Sequence, residues 1–499
     1  MPVNTGNNYY YLKDMTAFDS LLREEQKISM QLDHTELEFL TGIFRVNVTA
    51  LYYNDNDVGK PTPADLILPI SPMPVEYNES VIVLPNGKAS NDIVFPRNVE
   101  RAVVSVFASG IGAEEFWFKN VPTEYEKTLE NSVTGGQSSF REVKLRIDGN
   151  LAGVVWPSPT IYTGGKSPEN WVPTAGTDVY DFPSFEIDVS PWLGSLCDSM
   201  PHKFELEVFG YDSEEGLLSI ESDWWVSGSI FIWLDKDGIW TTGTDVKSEV
   251  EDLLFNFIPT ISTFSGRNSS LQANLTAART IHHSSNISTS SGSREIIWSQ
   301  ALAFQSILNF EANSYDTAVY HTIDSISAFS LTKNYRRSDQ ELAQNSYTNN
   351  FYLSRDHYPQ LNLTSGYSTI VAEVDQSREV AALPLLFYLT NQNVFREPVV
   401  QATIQVDEVV YSWNDTHYQH SRGKILPRIL STRKEQNYKS YGPISDGRTI
   451  LYDRGIITEE ANSEESYSYS IDEYYYNSTV IDSAEMKEVP SVFKFSGVI

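Results

Sequence analysis

The chain has 499 residues and a hydrophobic content of 40%, enough for roughly two to four domains with sizeable cores. Its 36 Lys and Arg against 66 Asp and Glu give a formal charge of −30, which excludes the basic patch that nucleic acid or an anionic membrane needs. A single cysteine, Cys197, excludes an intrachain disulfide and a cysteine-rich zinc site.

The opening MPVNTGNNYYYLKD has no basic stretch followed by an apolar one, so no signal peptide is visible. DMTAFDSLLREE predicts a helix, with Asp14 as N-cap and Phe18, Leu21 and Leu22 on one face. Phe44, Val46 and Val48 then alternate with polar residues, as in a half-buried strand. Turn signals recur at Asn86-Gly87, Asp148-Gly149, Gly164-Gly165 and Asp237-Gly238, and Phe204, Leu206 and Val208 form another alternating run. A second, weaker helical pattern covers Val246–Phe257. From Ser262 to Ser293 the composition turns to Ser, Thr and Asn, which reads as linker with weakly patterned strands.

A β-rich, tyrosine-containing block follows from Glu295, with Ala402, Ile404 and Val406 alternating in it. Its most apolar run, AALPLLFYL, is broken by Pro384 and reads as a core strand; no run approaches the roughly 20 apolar residues of a membrane helix. N-x-S/T sequons stand at Asn47, Asn78, Asn268, Asn274, Asn286, Asn362, Asn414 and Asn477, which points to a secreted or extracytoplasmic protein. A chain starting downstream of its leader reconciles sequons with the missing signal. The expected fold is all-β, antiparallel jelly-roll or β-sandwich domains with a further C-terminal β-rich domain. The expected division is 1–55 as a remnant, 56–236 as a sandwich, 237–294 as linker and irregular segment, and 295–499 as the C-terminal domain.

Residues 41–235 carry an ordered series of motifs: TGIFRVNVT, ADLILPIS, FPRNVERAVVSVF, EEFWF, FREVKLRIDGNLAGVVWPSPTIYTGG, SPENWVP, FEIDVSPWLG, HKFELEV and FIWLD. The series closely resembles the peptide-N-glycosidase A family. Looser similarity extends upstream to DMTAFDSLLREEQ and downstream to FSGRNSSLQANLTAARTI. The resemblance implies two jelly rolls with acids at their interface and hydrolysis of the asparagine–N-acetylglucosamine amide, without metal or cofactor. Family members begin their first jelly roll with D-R-x-x-x-V-x-L-x-G. No such pair precedes Met15, and Asp453-Arg454 lacks the surrounding motif. The expectation is that 1–55 is a remnant of that roll, with the first-roll aspartate on a missing segment that is either supplied as a separate N-terminal chain or lost, and without which the chain is inactive.

The bacterial peptide-N-glycosidase F type is a more distant relative in architecture, and Glu115, in EEFWF after PRNVERA, resembles the glutamate of the Glu-Trp motif in its second jelly roll. Read as a strand residue, it shares a face with Trp117, a candidate sugar-stacking ring, while neighbouring Glu114 points the other way. The plain alternative for Glu115 is an exposed glutamate at a strand end. Arg141 falls on the face of Val143, Leu145 and Ile147 and is expected at the sandwich mouth, meeting a carbonyl or carboxylate; a structural ion pair is the alternative. Glu142 faces the opposite way and is expected at the surface. Trp156, Tyr162 and Trp171 flank the loop WPSPTIYTGGKSPENW as sugar-binding candidates, with core packing as the competing reading. Cys197 lacks a recognisable His/Asp set for nucleophilic catalysis, and His417-x-x-His420 and His282-His283 lack the acidic helix motif of a metal site. The alternatives to a glycopeptidase are a non-catalytic carbohydrate-binding β-sandwich protein and a tyrosine-rich adhesion protein.

Overall fold

A computed structural model describes residues 15–25, 46–50, 52, 63–70, 81–130, 135–160, 184–220, 223–312, 317–333, 340–359, 368–383, 401–409, 416–422, 432–441, 452–461 and 466–473, with side chains as far as residue 330. Within them the protein is all-β with antiparallel pairing. The first ten strands are β1 (Leu66–Pro69), β2 (Ile82–Leu84), β3 (Ala89–Ile93), β4 (Val99–Gly110), β5 (Glu142–Ile147), β6 (Asn150–Val155), β7 (Phe185–Asp188), β8 (His202–Asp212), β9 (Gly216–Ser219) and β10 (Trp224–Leu234). One sheet runs β1-β10-β4-β7, with β2 also on β10; the other runs β3-β8-β5-β6, with β9 on β8. Because β1 and β2 pair with opposite halves of β10, they act together as one strand. Consecutive strands then cross between the sheets except at the β5–β6 and β8–β9 hairpins, which is jelly-roll order.

Period-two patterning explains the core. In β8, Phe204, Leu206 and Val208 are buried while Lys203 is exposed, as their alternation predicts. In β10, Trp224, Val226, Ile230 and Ile232 are fully buried against them. Full burial of one such aliphatic side chain stabilises by roughly 1.5–3 kcal/mol. The opposite face of β10 and β4 carries a second cluster, Val103, Phe231 and Trp233, covered by Ala17 and Phe18. Phe18 meets Phe231 edge-on at 5.5 Å. The expected N-terminal helix is short: a 3-10 turn at Thr16–Phe18 and α1 (Asp19–Leu22). Residues 46–50 form no strand, and Val46 and Val48 are exposed; alternation without a pairing partner gains no ladder.

Asp148 and Gly149 make the two-residue β5–β6 turn, both at positive φ (48° and 82°), the type I′ geometry that Asp-Gly favours. Asp148 also accepts the backbone N–H of Lys203 at 2.8 Å and meets His202 Nδ1 at 2.7 Å. Asp198, just beyond α2 (Leu193–Leu196), takes His202 Nε2 at 3.2 Å. One largely buried imidazole thus joins the hairpin turn to the end of α2.

The thirteen remaining strands form a single 13-stranded sheet: β11 (Thr242–Gly243), β12 (Lys247–Val250), β13 (Leu254–Phe264), β14 (Arg267–Thr289), β15 (Gly292–Glu311), β16 (Thr317–Lys333), β17 (Gln340–Pro359), β18 (Ser368–Leu383), β19 (Gln401–Val409), β20 (Thr416–Arg422), β21 (Thr432–Tyr441), β22 (Tyr452–Ala461) and β23 (Ser466–Glu473). From β14 to β23 it is an antiparallel meander, with β11, β12 and β13 all paired to β14. This corrects two expectations. Val246–Phe257 holds β12 and the start of β13 instead of a helix, because Phe255 stacks on Tyr211 at 3.5 Å and Phe257 meets Tyr125 at 5.1 Å, a period of two that overrides the helical spacing. The linker expected within 237–294 is mostly sheet: Leu271, Ala273, Leu275, Ala277, Ile281 and Ile287 all face inward along β14.

The inward face of β14–β16 covers the flank of the sandwich where β6 and β7 are the edge strands of their sheets. An uncovered edge exposes backbone groups to further pairing. Here the Gln300 side chain fills them: its Oε1 accepts the Val154 N–H at 3.0 Å, and its Nε2 donates to the Val154 carbonyl at 2.9 Å. Ion pairs cross the same boundary, Arg294 to Glu100 at 2.7 Å and Arg279 to Glu142 at 3.3 Å. Arg101, bonded to Asp188 at 2.5 and 3.0 Å, lies 4.0 Å over the Phe329 ring.

Replacing Gln300 by Leu leaves both Val154 groups buried and unpaired, at about 1–3 kcal/mol for each. A corresponding fall in the urea midpoint is expected, and an unchanged midpoint contradicts the edge-capping role. His202 gives a pH dependence. Burial pushes its pKa down, but hydrogen bonds and charge from Asp148 and Asp198 outweigh burial and hold it above 6.5. A raised folded-state pKa means this stabilisation is complete below 6.5 and is lost as pH rises through the higher folded value. The melting-temperature difference between wild type and His202→Gln should therefore shrink from pH 6 to pH 9; a difference that grows over that range refutes the assignment.

Candidate active site

Two of the residues singled out in the sequence meet at one end of the sandwich, beside β10, and two others lie around them. β4 ends at Gly110, where a Cβ would sit 2.3 Å from the Glu114 carbonyl oxygen. Only glycine lets the strand end so close to the next turn. The chain continues as a 3-10 segment, Gly112–Lys119, broken by non-helical Phe116. Glu114, Glu115, Trp117 and Phe118 are buried in it.

Glu114 is the centre of this end. Arg141 grips it bidentately, Nε to Oε2 at 2.7 Å and Nη2 to Oε1 at 2.8 Å. The Trp224 indole N–H donates to Oε2 at 2.8 Å, and Asn120 Nδ2 lies 3.5 Å from Oε1. Burial pushes the Glu114 carboxyl up, but the Arg141 charge and the bonds from Arg141 and Trp224 together hold it below its ordinary 4.5. The site therefore has a carboxylate whose ionised form is favoured and whose oxygens are engaged. Arg141 is 1% exposed. Its Nη1 donates to the carbonyls of Gln137, Ser138 and Phe140 at 2.8, 2.8 and 2.7 Å. Gln137 and Ser138 reach it from left-handed backbone, φ 59° and 54°, a conformation costly for non-glycine residues. That local strain turns consecutive carbonyls onto one guanidinium.

These positions correct several expectations. Glu114 does not point away: 3-10 geometry abolishes the strand alternation that predicted it, and Glu114 is the partner of Arg141. Glu115 is a 3-10 residue, not a strand residue. Arg141 does face the core with Val143, Leu145 and Ile147, but buried as an ion-pair partner. Trp117 is 3% exposed and Trp156 1% exposed, so neither ring offers a free face to a sugar. Trp117 packs against Trp224 at 6.0 Å; Trp156 lies edge-on to Phe140 at 5.0 Å and donates to Glu142 at 3.1 Å. Glu142 is fully buried, not at the surface, because β14 brings Arg279 onto it. Tyr162 and Trp171 lie outside the described residues.

Glu115 sits next to this anchored carboxylate, 9% exposed, with Lys119 four residues on. Burial pushes the Lys119 ammonium below its ordinary range, against the pull of Glu115. Its Nζ lies 4.8 Å from the Phe116 ring. Sequence reasoning passed over Lys119, Asn120 and Trp224. Trp224 carried a signal, since it opens the alternating run WWVSGSI on the inward phase. Burial pushes the Cys197 thiol up to about 11, which keeps it from being a thiolate nucleophile. A concavity of about 300 Å³ lies on the large sheet, lined by Glu249, Glu251, Thr280, His282 and Ser299 among others, and includes none of these residues.

Comparison with known proteins gives the family. A curated plant protein, peptide-N4-(N-acetyl-beta-glucosaminyl)asparagine amidase A of Prunus dulcis, is 31% identical over 272 residues, 51% of this chain and 45% of the relative. The chain thus spans about half the length of that relative. No solved structure matches. The profile of the family described as peptide N-acetyl-beta-D-glucosaminyl asparaginase amidase A matches residues 1–251, from the N-terminal segment through the whole sandwich. With half of its length so matched, the chain belongs to the peptide N-acetyl-beta-D-glucosaminyl asparaginase amidase A family.

Proposed function

We propose that this chain serves in hydrolysis of the asparagine–N-acetylglucosamine amide of N-glycopeptides, with Glu115 as the reacting carboxylate. The observation that carries this reading is the anchoring of its immediate neighbour. Glu114, held by Arg141 and Trp224, fixes the 3-10 segment from inside the sandwich and with it the position of Glu115, the adjacent carboxylate. Catalysis needs a carboxylate whose position is set by groups that do not themselves react.

In the proposed reaction Glu115 takes a proton from water as the water oxygen attacks the side-chain amide carbon. The carbonyl oxygen gains negative charge, and the Lys119 ammonium, four residues beyond Glu115, is the cation we assign to stabilise it. The C–N bond then breaks and the proton passes to the departing nitrogen, giving aspartate and a glycosylamine, which loses ammonia to water. Arg141 and Glu114 act as positioning residues in this scheme. Tyr162 and Trp171 are the aromatic residues proposed to meet the sugar, on the strength of their Pro- and Gly-rich loop. A separate N-terminal chain carrying a further acid is proposed as a partner. Exposed sequons at Asn47, Asn268 and Asn274 support an extracytoplasmic setting.

Glycan release from a short N-glycopeptide at acidic pH tests the reading, with and without the complementing N-terminal chain. Glu115→Gln should lower kcat by roughly 10²–10⁴-fold while leaving the melting temperature near wild type. Glu114→Gln should instead lower stability, since it leaves Arg141 buried without its counter-charge, at about 3–5 kcal/mol. Unchanged kcat in Glu115→Gln removes the lead residue. No glycan release by wild type in either arm removes the hydrolase reading.

A further inference from the structure

The 3-10 segment Gly112–Lys119 has no side-chain cap at its N-terminal end, and at its C-terminal end the Asn120 backbone N–H meets the Trp117 carbonyl; the other last carbonyls of so short a helix need partners from elsewhere. One comes from far along the chain. His321, on β16 of the large sheet, places Nε2 2.7 Å from the Phe118 carbonyl oxygen. A carbonyl only accepts, so Nε2 carries the proton. Burial pushes the His321 pKa down to about 3, against the pull of that bond, so the ring is neutral near pH 7.

The ring does more than cap. It stands edge-on to Phe118 at 6.3 Å, to Phe304 of β15 at 5.4 Å and to Trp117 at 6.0 Å. Trp117 in turn packs on Trp224, the indole that donates to Glu114. The histidine therefore touches the segment through both backbone and side chain. The family match ends at residue 251, and β16 lies wholly beyond it.

We propose that His321 is a positioning residue for the candidate active site, fixing the C-terminal end of the Glu115 segment from the large sheet. The proposal rests on the reading of Glu115 as the reacting carboxylate. It makes the large sheet part of the catalytic apparatus, as a second anchor of the segment beside the Glu114–Arg141 pair. A histidine that only filled core volume would support the sandwich uniformly; a positioning residue acts on one segment and on turnover.

Amide hydrogen exchange followed by peptide mass, on the full chain, separates the two. His321→Phe keeps a ring of similar size and removes the donor; His321→Gln restores a donor at a similar reach. In His321→Phe the amides of residues 112–120 should exchange on the order of tenfold faster, with β8 unchanged, and His321→Gln should restore wild-type protection. In the glycopeptide assay, kcat of His321→Phe should fall about tenfold or more at unchanged KM, again with rescue by Gln. Wild-type exchange at 112–120 in His321→Phe overturns the proposal, as does an equal rise over β8. So does unaltered kcat in a chain that turns over. Absence of turnover in wild type would refute the hydrolase reading, and the exchange comparison would still decide the role of His321.

Discussion

The buried pair of Glu114 and Arg141 is the interaction on which the rest of this site depends. Two charges removed from water cost several kcal/mol each, and attraction between them recovers that cost only with good geometry and further hydrogen bonds. Here the geometry is bidentate, Nη1 of the guanidinium meets backbone carbonyls, and the carboxylate also takes an indole N–H. Every side of the pair thereby becomes a constraint on the chain. β10 must bring Trp224 inward, the 137–140 turn must accept left-handed residues, and β4 must end in Gly110. The pair contributes little to net stability by this reasoning. It specifies one conformation for the segment that carries Glu115.

A jelly roll is two sheets with four edges, and this one has its β6 and β7 edges on a common flank. The large sheet answers that exposure with side chains instead of strand pairing. Gln300 supplies one donor and one acceptor to Val154, as a neighbouring strand would, while Arg279, Arg294 and Phe329 close the flank around it. Side-chain capping leaves the sandwich with its own complete pairing order. It also lets a long meander lie across it without entering either sheet.

What could be read in advance followed the contrast between inward and outward residues. β8 was legible because Phe204, Leu206 and Val208 alternate with Lys203, Glu205 and Glu207. The Asp148-Gly149 turn was legible because only a few dipeptides tolerate two positive φ angles. β14 was not, because its inward row includes Ala, Arg, His, Ser and Thr, which look like a linker until the wall they pack on is known. The site divides in the same way. Arg141 showed its correct face by parity with Val143, Leu145 and Ile147. Its partner did not show, since the choice between Glu114 and Glu115 turns on whether their segment is strand or 3-10, a distinction that EEFWF alone does not encode. Burial of Glu142 was invisible for another reason: the arginine that meets it lies on β14, beyond the whole sandwich in sequence.

Alternation along β5 ties these features together. Neighbouring side chains on a strand point to opposite faces, so Arg141 enters the sandwich and grips Glu114, while Glu142 leaves it and meets Trp156 and Arg279. One peptide unit therefore separates the anchor of the candidate site from an anchor of the large sheet. A shift of β14 against β5 must either break the Glu142 contacts or carry β5 with it, and β5 cannot move without pulling Arg141 on Glu114. His321 closes the loop from the other end, since β16 is bound through β15 to β14 and reaches back to the segment that follows Glu114. The large sheet and the site are thus connected twice by short routes of buried polar groups. An arrangement of that kind resists small displacements of Glu115, and that is the property a reacting carboxylate needs from its scaffold.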